Sequence, residues 1–500
     1  MKYLATFASM GEIQRQSIKG TIYTYGGAAI GFLTSALLFP RYLSTEEIGL
    51  INVLIAWAML FEQVFGFGVT NIITRVFPYF RNSDGKHHGF LGLMGLVSAL
   101  GFALATIAFF FLTDFIVESE QEKSTLLRDF IHLLPIFIFS NIFFNLFDQY
   151  NKVLYKPTRG IVAREFSLRI FVLILIGAYI FKWLSFSQFI YAYLVVQLLP
   201  MLILYGFLQK DKSIHFSINW PAFTPQLRRE IITVGLFGLL SSATSTITLT
   251  IDRIMINRQL DLDLAGIYST CFFFGTLVIL PSRAINKTIS TYISEAWKRY
   301  DTEEIFKIYK SSSVNQFLIG TLLMIGIWAN IENIMIILTE SFRPGYWVIL
   351  FIGLTYLSDM LFNSGVVVLM NSDQYRFSTY FIIIMTILMV AGNWIAIPIW
   401  SITGAAAASF VSRLVYNLLT YFYVWNKWKL QPYSYRHLII GVTGVLVYYA
   451  STFLPVFDNY ILDILIRSTL ITVVYLGLNI IFKTSEEVDR NIKKYIKVRF

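Results

Sequence analysis

Five basic residues lie inside long apolar stretches of the chain, where a charge is costly. A charged side chain at the centre of a membrane helix costs about 2.5–3.5 kcal/mol on insertion scales, so such residues usually face protein or a water-filled cavity and serve a function. The five are Arg169, Arg283, Lys287, Arg413 and Arg467. A guanidinium matches the geometry of a phosphate better than an ammonium does. These residues are therefore candidates for a cavity that binds an anionic ligand.

Four of these residues are candidates for that cavity, and each has an alternative. Arg413 lies near the middle of its apolar stretch, where a side chain hardly reaches either interface, and is the strongest candidate. Arg283 and Lys287 are four residues apart and share one helical face. Structural pairing is an equal alternative for Arg283 and Arg413, and Lys287 is near enough to the inner end to snorkel. Arg169 has Glu165 one turn away, and that ion pair is favoured over a binding role.

Polar side chains form continuous helical faces on three apolar stretches. The first face consists of Ser241, Thr244, Ser245, Thr248 and Asp252, at i, i+3, i+4, i+7 and i+11. The second consists of Asn141, Asn145, Asp148, Gln149 and Lys152, and the third of Thr355, Asp359 and Asn363. Close helix packing through small hydroxyl residues explains the first face equally well. The second is harder to explain by packing and favours a polar ligand, while Asp359 either titrates or pairs with Arg413.

Two further charged positions are candidates for coupling and gating. Glu62 lies in an apolar stretch and is a candidate proton-coupling carboxylate, because burial raises the pKa of a carboxyl group. Pairing with Arg75 is an equal alternative. Asp252 and Arg253 follow the first polar face and are candidates for a gate or a contact between lobes. The alternative for that pair is an exposed ion pair that contributes little.

The composition indicates which elements position these residues. The chain has 500 residues, of which 56% are hydrophobic and only 14% are charged, against roughly 25% charged in soluble domains. About fourteen apolar runs approach the roughly 20 residues that a membrane helix needs. The sequence therefore predicts an all-α integral membrane protein with about fourteen transmembrane helices.

The first seven predicted spans lie near 21–40, 48–67, 89–112, 130–147, 166–183, 187–208 and 231–250. The second seven lie near 266–288, 314–338, 346–370, 377–399, 401–425, 437–454 and 460–482. Basic residues concentrate in every second loop and in the tail that ends NIKKYIKVRF. Since cytoplasmic loops carry the excess of Lys and Arg, both termini are predicted to be cytoplasmic.

Several classes of function are disfavoured by the same residues. The net charge of +10 is explained by membrane topology and anionic lipid headgroups, so no nucleic-acid partner is expected. The single Cys271 and five scattered histidines provide no metal site of known spacing. No phosphate-binding GxxxxGK[ST] loop occurs, and no loop has room for a catalytic domain. We expect no catalytic residue and no cofactor, with a proton, another ion or the membrane potential as the driving force.

An internal repeat organises the spans. A shift of 217 residues aligns RYLSTEEIGLI at 41–51 with RQLDLDLAGIY at 258–268. Each segment joins the first and second helix of a six-helix unit on the outer side, so the repeat is parallel, with its axis along the membrane normal. The predicted domains are an N-terminal lobe at 1–216, a C-terminal lobe at 217–430, and two extra helices with a basic tail at 431–500.

These motifs resemble those of a known family. FPRYLSTEEIGLINVL and GVTNIITRVFPYF in the first lobe, with IDRIMINRQLDLDLAGIYS in the second, resemble the Wzx-type polysaccharide flippases of the multidrug/oligosaccharidyl-lipid/polysaccharide exporter superfamily. The resemblance implies a carrier of undecaprenyl-diphosphate-linked oligosaccharide, which moves from the inner to the outer leaflet of a bacterial inner membrane as two lobes rock around a cationic cavity. On this basis Arg283 and Lys287 would meet the two phosphates. The resemblance also implies a monomer, and it leaves contacts with polysaccharide polymerase machinery open.

Two other functions stay in consideration. A multidrug antiporter of the same superfamily would share the architecture, but cationic drugs require cavity carboxylates, and basic candidates outnumber acidic ones here. A membrane polysaccharide polymerase or ligase would need a large outer loop with catalytic basic residues. The short outer loops and the 217-residue repeat argue against that enzyme.

Overall fold

The computed structural model describes residues 19–82, 85–118, 125–215 and 217–486, without the side chains at 222 and 240–245. Every regular element in these ranges is helical. The principal helices are α1 Lys19–Tyr42, α2 Thr45–Phe65, α3 Val69–Val76, α4 Phe90–Val117, α5 Leu134–Val153, α6 Leu168–Ile180, α7 Phe186–Lys210, α8 Pro225–Gln259, α9 Leu262–Thr276, α10 Leu280–Lys298, α11 Thr302–Ala329, α12 Ile331–Leu338, α13 Tyr346–Met370, α14 Arg376–Trp428, α15 Tyr435–Thr452 and α16 Tyr460–Ile481.

Local sequence explains where several of these helices begin. Ser44 accepts a hydrogen bond from the backbone of Glu47, whose side chain accepts one from the backbone of Ser44, which forms a capping box at the start of α2. Ser185 and Gln188 form the same arrangement before α7. Each box satisfies two backbone donors that a helix start otherwise leaves unpaired. The polar loop residues therefore fix the ends of the apolar helices.

Ten helices among the described residues are long and apolar enough to cross a membrane. One of them, α14, has 53 residues and non-helical backbone at Trp400 and Ser401. The predicted boundary between the spans at 377–399 and 401–425 falls at this kink. Helices α6, α8 and α15 occupy the positions of three further predicted spans. The all-α, multi-pass membrane class is confirmed, while the count of fourteen spans and the side on which the termini lie stay predictions.

The chain divides into two compact units, the first ending at Gly266 and the second beginning at Ile267. In the first unit, α5 is central and packs against α2, α4 and α7, while α8 packs along α2 and α3. Aromatic rings fill the core of this unit, including Phe77, Phe80, Phe90 and Phe223. Its contacts therefore place helix α8 in the same unit as the helices that precede it. The predicted lobe boundary at 216/217 follows the sequence repeat and stays a prediction.

In the second unit, α13 is central and packs against α14, α11 and α10. The last two helices, α15 and α16, pack against each other and against α11. Their shared core includes Val314, Ile440 and Tyr475. The hydroxyl group of Tyr475 donates a hydrogen bond to the carbonyl oxygen of Leu318, at 3.1 Å. The C-terminal helices are thus anchored to the same bundle.

The two copies of the repeated loop motif meet where α2 and α9 begin. A Cβ on Gly49 would collide with the carbonyl oxygen of Leu262, and a Cβ on Gly266 would collide with that of Thr45. Gly49 and Gly266 are matched by the 217-residue shift, and so are Thr45 and Leu262. The contact is therefore reciprocal, as a twofold axis between two equivalent helices requires. Glycine lets the helix backbones approach at this crossing.

Candidate functional site

The most central basic candidate, Arg413, forms an ion pair inside the second unit. Its Nε donates to Oδ1 of Asp359 at 2.8 Å, and its Nη2 donates to Oδ2 at 2.8 Å. Asn417, one turn further along α14, donates to the same carboxylate at 2.9 Å. Asp359 is 4% exposed and Arg413 is 32% exposed. One edge of the guanidinium is thus committed to Asp359, while the Arg413 side chain as a whole stays partly exposed.

The pair of cations on α10, Arg283 and Lys287, has a different environment. Both side chains are exposed, and neither forms an ion pair with any residue in the described ranges. The spacing of four residues places them on one face, as the sequence predicts. In a membrane helix, two neighbouring positive charges without a counter-ion favour an anion. This face is the least compensated cationic feature among the candidate residues that the structure describes.

A polar network on the neighbouring face of α10 sets its rotation. Ser282 donates to Oε1 of Gln316 at 2.7 Å, and Asn286 donates to Oγ of Ser282 at 2.7 Å. Gln316 in turn donates to Asn286 at 3.1 Å and to Ser364 at 3.0 Å. Asn363 extends the network from α13, with 3.5 Å between its Nδ2 and Oγ of Ser282. These bonds fix the rotation of α10 about its own axis. Arg283 and Lys287 therefore lie on a different face of the helix, which is exposed.

A groove between α10 and α11 lies next to this cationic face. Its volume is about 660 Å³. The lining combines apolar side chains with hydroxyl and amide groups, and includes Ile285, Thr288, Tyr292, Ser311 and Asn315. Thr288 directly follows Lys287 in the chain. A groove of this size and mixed lining is suited to an amphipathic ligand.

Arg169 and Arg467 are both held by ion pairs within their own helices. Arg169 donates to Glu165 at 2.8 Å and to the carbonyl oxygen of Gly27 at 2.7 Å, which ties the α6 region to α1. Arg467 donates to Asp463 at 3.1 Å, and that carboxylate also accepts a hydrogen bond from Asn333 at 2.5 Å. The pairing of Arg169 with Glu165 is the alternative that the sequence favours. Arg467 also donates to the carbonyl oxygen of Ser451 on α15, at 2.7 Å. Both arginines therefore cross-link helices.

The residues of the polar face on α5 contact different partners and do not form one site. Asn145 lines a small cavity together with Glu62 of α2. Asp148 pairs with Lys152 at 2.5 Å, and Gln149 donates to Oγ1 of Thr74 at 2.7 Å. Asn141 is half-buried and has no hydrogen-bond partner in the described part of the chain. Glu62 has no ion pair with Arg75 or with any other described residue.

The polar face on α8 is only partly within the described residues. The side chains of Ser241, Thr244 and Ser245 lie outside them, whereas Thr248 is half-buried. At the end of this face Asp252 is 5% exposed. The neighbouring Arg253 donates to the carbonyl oxygen of Leu249 at 3.2 Å. On α13, Thr355 donates back to its own helix, at the carbonyl oxygen of Phe351.

Three residues in these sites are not predicted from the sequence. Asn417 lies four residues after Arg413, so a search for polar residues on one face would have found it. Gln316 is a fully buried amide within the apolar α11, which is a comparable signal. Ser98 lines a small cavity beside Glu62, but a lone serine in an apolar helix carries no distinguishing signal.

Comparison with known proteins gives matches along most of the chain. The model of a family described as polysaccharide biosynthesis protein matches residues 17–272. An uncharacterized membrane protein of Methanocaldococcus jannaschii is 23% identical over 468 residues, which are 88% of this chain and 82% of that protein. The likeness extends over both units of this chain.

Solved structures of two kinds of transporter share the fold. The lipid II flippase MurJ, in an inward closed conformation, matches with a TM-score of 0.75 and 14% identity, covering 93% of this chain and 98% of that one. An inward-facing multidrug resistance transporter of the MATE family in the MOP superfamily matches with a TM-score of 0.65 and 12% identity, covering 86% and 99%. At these identities the likeness shows the fold alone.

Proposed function

Because the chain belongs to the polysaccharide biosynthesis protein family and has the fold of MOP-superfamily transporters, we propose that it is a flippase for lipid-linked oligosaccharide. Its substrate is an oligosaccharide on undecaprenyl diphosphate, carried by alternating access from the inner to the outer leaflet of a bacterial inner membrane. It serves the biosynthesis of a surface polysaccharide such as O-antigen, capsule or exopolysaccharide. It is a carrier that forms and breaks no covalent bond.

The observation that carries this proposal is the uncompensated cationic face of α10. Arg283 and Lys287 are exposed, and no described side chain neutralises them. A diphosphate carries two adjacent anionic groups, and a guanidinium beside an ammonium binds both through charge-assisted hydrogen bonds. The groove next to this face adds apolar surface and hydroxyl groups. An amphipathic ligand with an anionic centre fits that combination.

In this proposal Arg413 is a structural residue, although its central position predicts that it binds the substrate. One edge of its guanidinium, formed by Nε and Nη2, binds Asp359, and its Nη1 lies 3.7 Å from the sulfur of Met385, a weak acceptor. A phosphate at Arg413 would compete with a carboxylate that is itself buried. We therefore assign the diphosphate first to Arg283 and Lys287, and assign Arg413 to holding α13 and α14 together.

The polar residues next to α10 are the candidates for contacts with sugar. Asn286 and Asn363 are half-buried, and both donate to Ser282 through their amide groups. Half-buried amides at the edge of a satisfied network retain donors and acceptors for hydroxyl groups. Contacts of this kind suit a range of sugars.

The test is transport of a fluorescent undecaprenyl-diphosphate oligosaccharide between the leaflets of proteoliposomes. Replacing both cations, in Arg283→Gln/Lys287→Gln, is expected to lower the transport rate at least tenfold, because two charge-assisted contacts are lost. The matched control is Lys298→Gln, a lysine three turns along the same helix that is exposed at its end. Equal rates for the double variant and the control, at matched insertion, would contradict the assignment.

A further inference from the structure

The two ends of α14 lie side by side at one surface of the membrane. The helix begins at Arg376 and ends at Trp428, with a kink midway, and it is apolar enough to span a membrane. The ring of Phe377, near its start, stacks on that of Tyr423, near its end, with 4.5 Å between the ring centroids. The two halves of α14 therefore run back along each other, so both ends reach the same surface.

Three cations lie at these ends. Arg376 is the first residue of α14, Lys427 lies in its last turn, and Lys429 ends the helix in a left-handed conformation with φ of 58°. All three are exposed, and none forms an ion pair with a residue in the described ranges. Segments 371–381 and 421–433 contain one acidic residue, Asp373, which is exposed as well. We refer to the three cations as the basic surface of α14, and it carries an excess of positive charge.

Aromatic and apolar contacts fix the backbone that carries this basic surface. Trp428, between the two lysines, packs on Tyr423 with 6.2 Å between the ring centroids. The hydroxyl group of Tyr423 donates to Oε1 of Gln374, in the turn before α14, at 3.1 Å. Leu430, which follows Lys429, is 6% exposed and anchors the chain after the helix. The three cations are thus presented from a fixed frame.

Exposed aromatic rings border the basic surface of α14. Tyr375 is 52% exposed, Trp425 is 41% exposed and Phe377 is 36% exposed. Trp and Tyr are enriched at membrane–water interfaces, because an apolar ring with a polar edge suits the headgroup level. A soluble anion gains little from such rings, whereas a phospholipid places its glycerol and first acyl carbons against them. Cations and rings together therefore indicate a ligand that lies in the bilayer.

We propose that the basic surface of α14 binds the headgroup of an anionic phospholipid. The phosphodiester accepts charge-assisted hydrogen bonds from Arg376 and from the two lysines, and the acyl chains enter the bilayer past the exposed rings. Basic pockets between membrane helices bind anionic lipid headgroups in this way, and the excess of Lys and Arg predicts that the lipid is in the cytoplasmic leaflet. The inference goes beyond the proposed function, because this lipid belongs to the surrounding bilayer and is not the cargo.

The experiment adds lipid to the purified, full-length protein in a neutral detergent. Phosphatidylglycerol is compared with phosphatidylcholine of the same acyl chains, and with soluble glycerol phosphate. Native mass spectrometry counts the bound lipid, and thermal unfolding gives the Tm, which a ligand of the folded state raises. Phosphatidylglycerol is expected to stay bound and to raise the Tm more than the other two. Equal effects of the two lipids, or an equal effect of glycerol phosphate, would overturn the proposal.

A double variant locates the site. Lys427→Gln/Lys429→Gln is expected to lower the apparent affinity for phosphatidylglycerol about tenfold or more, since each basic group near an anionic surface contributes several-fold. Its Tm without lipid is expected to stay near that of the unaltered chain, because both side chains are exposed and unpaired within the described residues. Lys427→Arg/Lys429→Arg keeps the charge and should keep the response.

A second double variant controls for net charge. Lys182→Gln/Arg343→Gln also removes two exposed cations, from loops that are predicted to lie on the opposite side of the membrane. It should retain the full response to phosphatidylglycerol. An equal loss of affinity in the two glutamine double variants would show that the lipid responds to total charge, and would overturn the location.

Discussion

The basic residues in the apolar helices differ by the partners that surround them. Arg169, Arg413 and Arg467 each bind a carboxylate, whereas Arg283 and Lys287 have none in the described part of the chain. Spacing along one helix predicts the pairing of Arg169 with Glu165. Spacing does not decide whether Arg413 pairs with Asp359, since the two residues lie on different helices. Sequence thus selects the charged candidates, and the structure separates helix cross-links from groups that are available to an anion.

The ion pair of Arg413 and Asp359 gives a stability prediction. Arg413→Ala leaves a carboxylate that is 4% exposed without its cation, and removing one partner of a buried pair costs about 3–5 kcal/mol. Since Arg413 is one third exposed, a loss of about 3 kcal/mol in the free energy of unfolding is expected. Denaturant unfolding in detergent micelles provides the measurement.

A second substitution tests the reason for that loss. In Arg413→Ala/Asp359→Asn the uncompensated charge is gone, so the double variant is expected to lose less stability than the two single variants combined. Arg343→Ala is the control, because that exposed side chain is 3.8 Å from Glu332 and should have little effect. Additive losses would show that the two residues act independently.

Asp211, just after α7, is held by two cations outside the membrane-spanning segment. Arg159 donates to its carboxylate, with 3.2 Å between Nη2 and Oδ1, and Lys156 lies 2.9 Å from Oδ2. The hydrogen bond from Arg159, followed by that from Lys156, lowers the pKa of Asp211 from 3.8 to about 2. These contacts tie the start of the α6 region to the end of α7.

A pH dependence of stability follows from this depressed pKa. The ionised carboxylate stabilises the folded state, so its contribution is full above about pH 4 and is lost as the pH falls towards 2. The difference in unfolding free energy between the unaltered chain and Asp211→Asn is expected to be roughly 2 kcal/mol at neutral pH, and to vanish near pH 2. Glu303→Gln, at an exposed pair with Lys307, is expected to stay near the unaltered chain. A difference that persists unchanged at low pH would show that the ionised carboxylate of Asp211 is not its cause.

Among the helices, the length of an apolar run predicts that a membrane helix is present. It does not predict the backbone conformation where that helix ends. The division of α14 at Trp400 and Ser401 follows a Pro398-containing segment, and the sequence places a boundary there. The break between α2 and α3, at Gly66–Gly68, falls at the end of the predicted span at 48–67, where two glycines flank Phe67. Tertiary packing explains it, since the carbonyl oxygen of Gly235 occupies the space where a Cβ on Gly68 would lie. The sequence names Glu62 and Asn145 as candidates, but it does not show that both line one cavity beside this break.

The reciprocal crossing of α2 and α9 gives a prediction for helix packing. Gly49→Ala places a methyl group against the carbonyl oxygen of Leu262, so the helices must separate, and a loss of about 1–3 kcal/mol is expected. Gly206→Ala is the matched control, because nothing lies near its Cβ position. That change should be neutral or stabilise by up to about 1 kcal/mol. Unfolding of both variants under one condition gives the comparison, and an equal effect would contradict the close crossing.

At the scale of the whole molecule, the sequence predicts the class, the family and the parallel repeat. Composition alone requires a multi-pass membrane protein, and motif resemblance identifies the polysaccharide biosynthesis branch to which the family model also assigns the chain. The repeat has a physical counterpart in the pairing of Gly49 with Gly266 and of Thr45 with Leu262. Neither composition nor repeats encode the glycan, because the same helical frame carries chemically different cargoes.

Transport by the unaltered chain tests the central claim most directly. Proteoliposomes that contain only this protein are supplied with fluorescent undecaprenyl-diphosphate oligosaccharide, and in parallel with a fluorescent organic cation. The account predicts that the lipid-linked sugar reaches the opposite leaflet faster than in protein-free liposomes, while the organic cation is not exported. Export of the cation without movement of the lipid-linked sugar would contradict the account and establish a multidrug transporter instead.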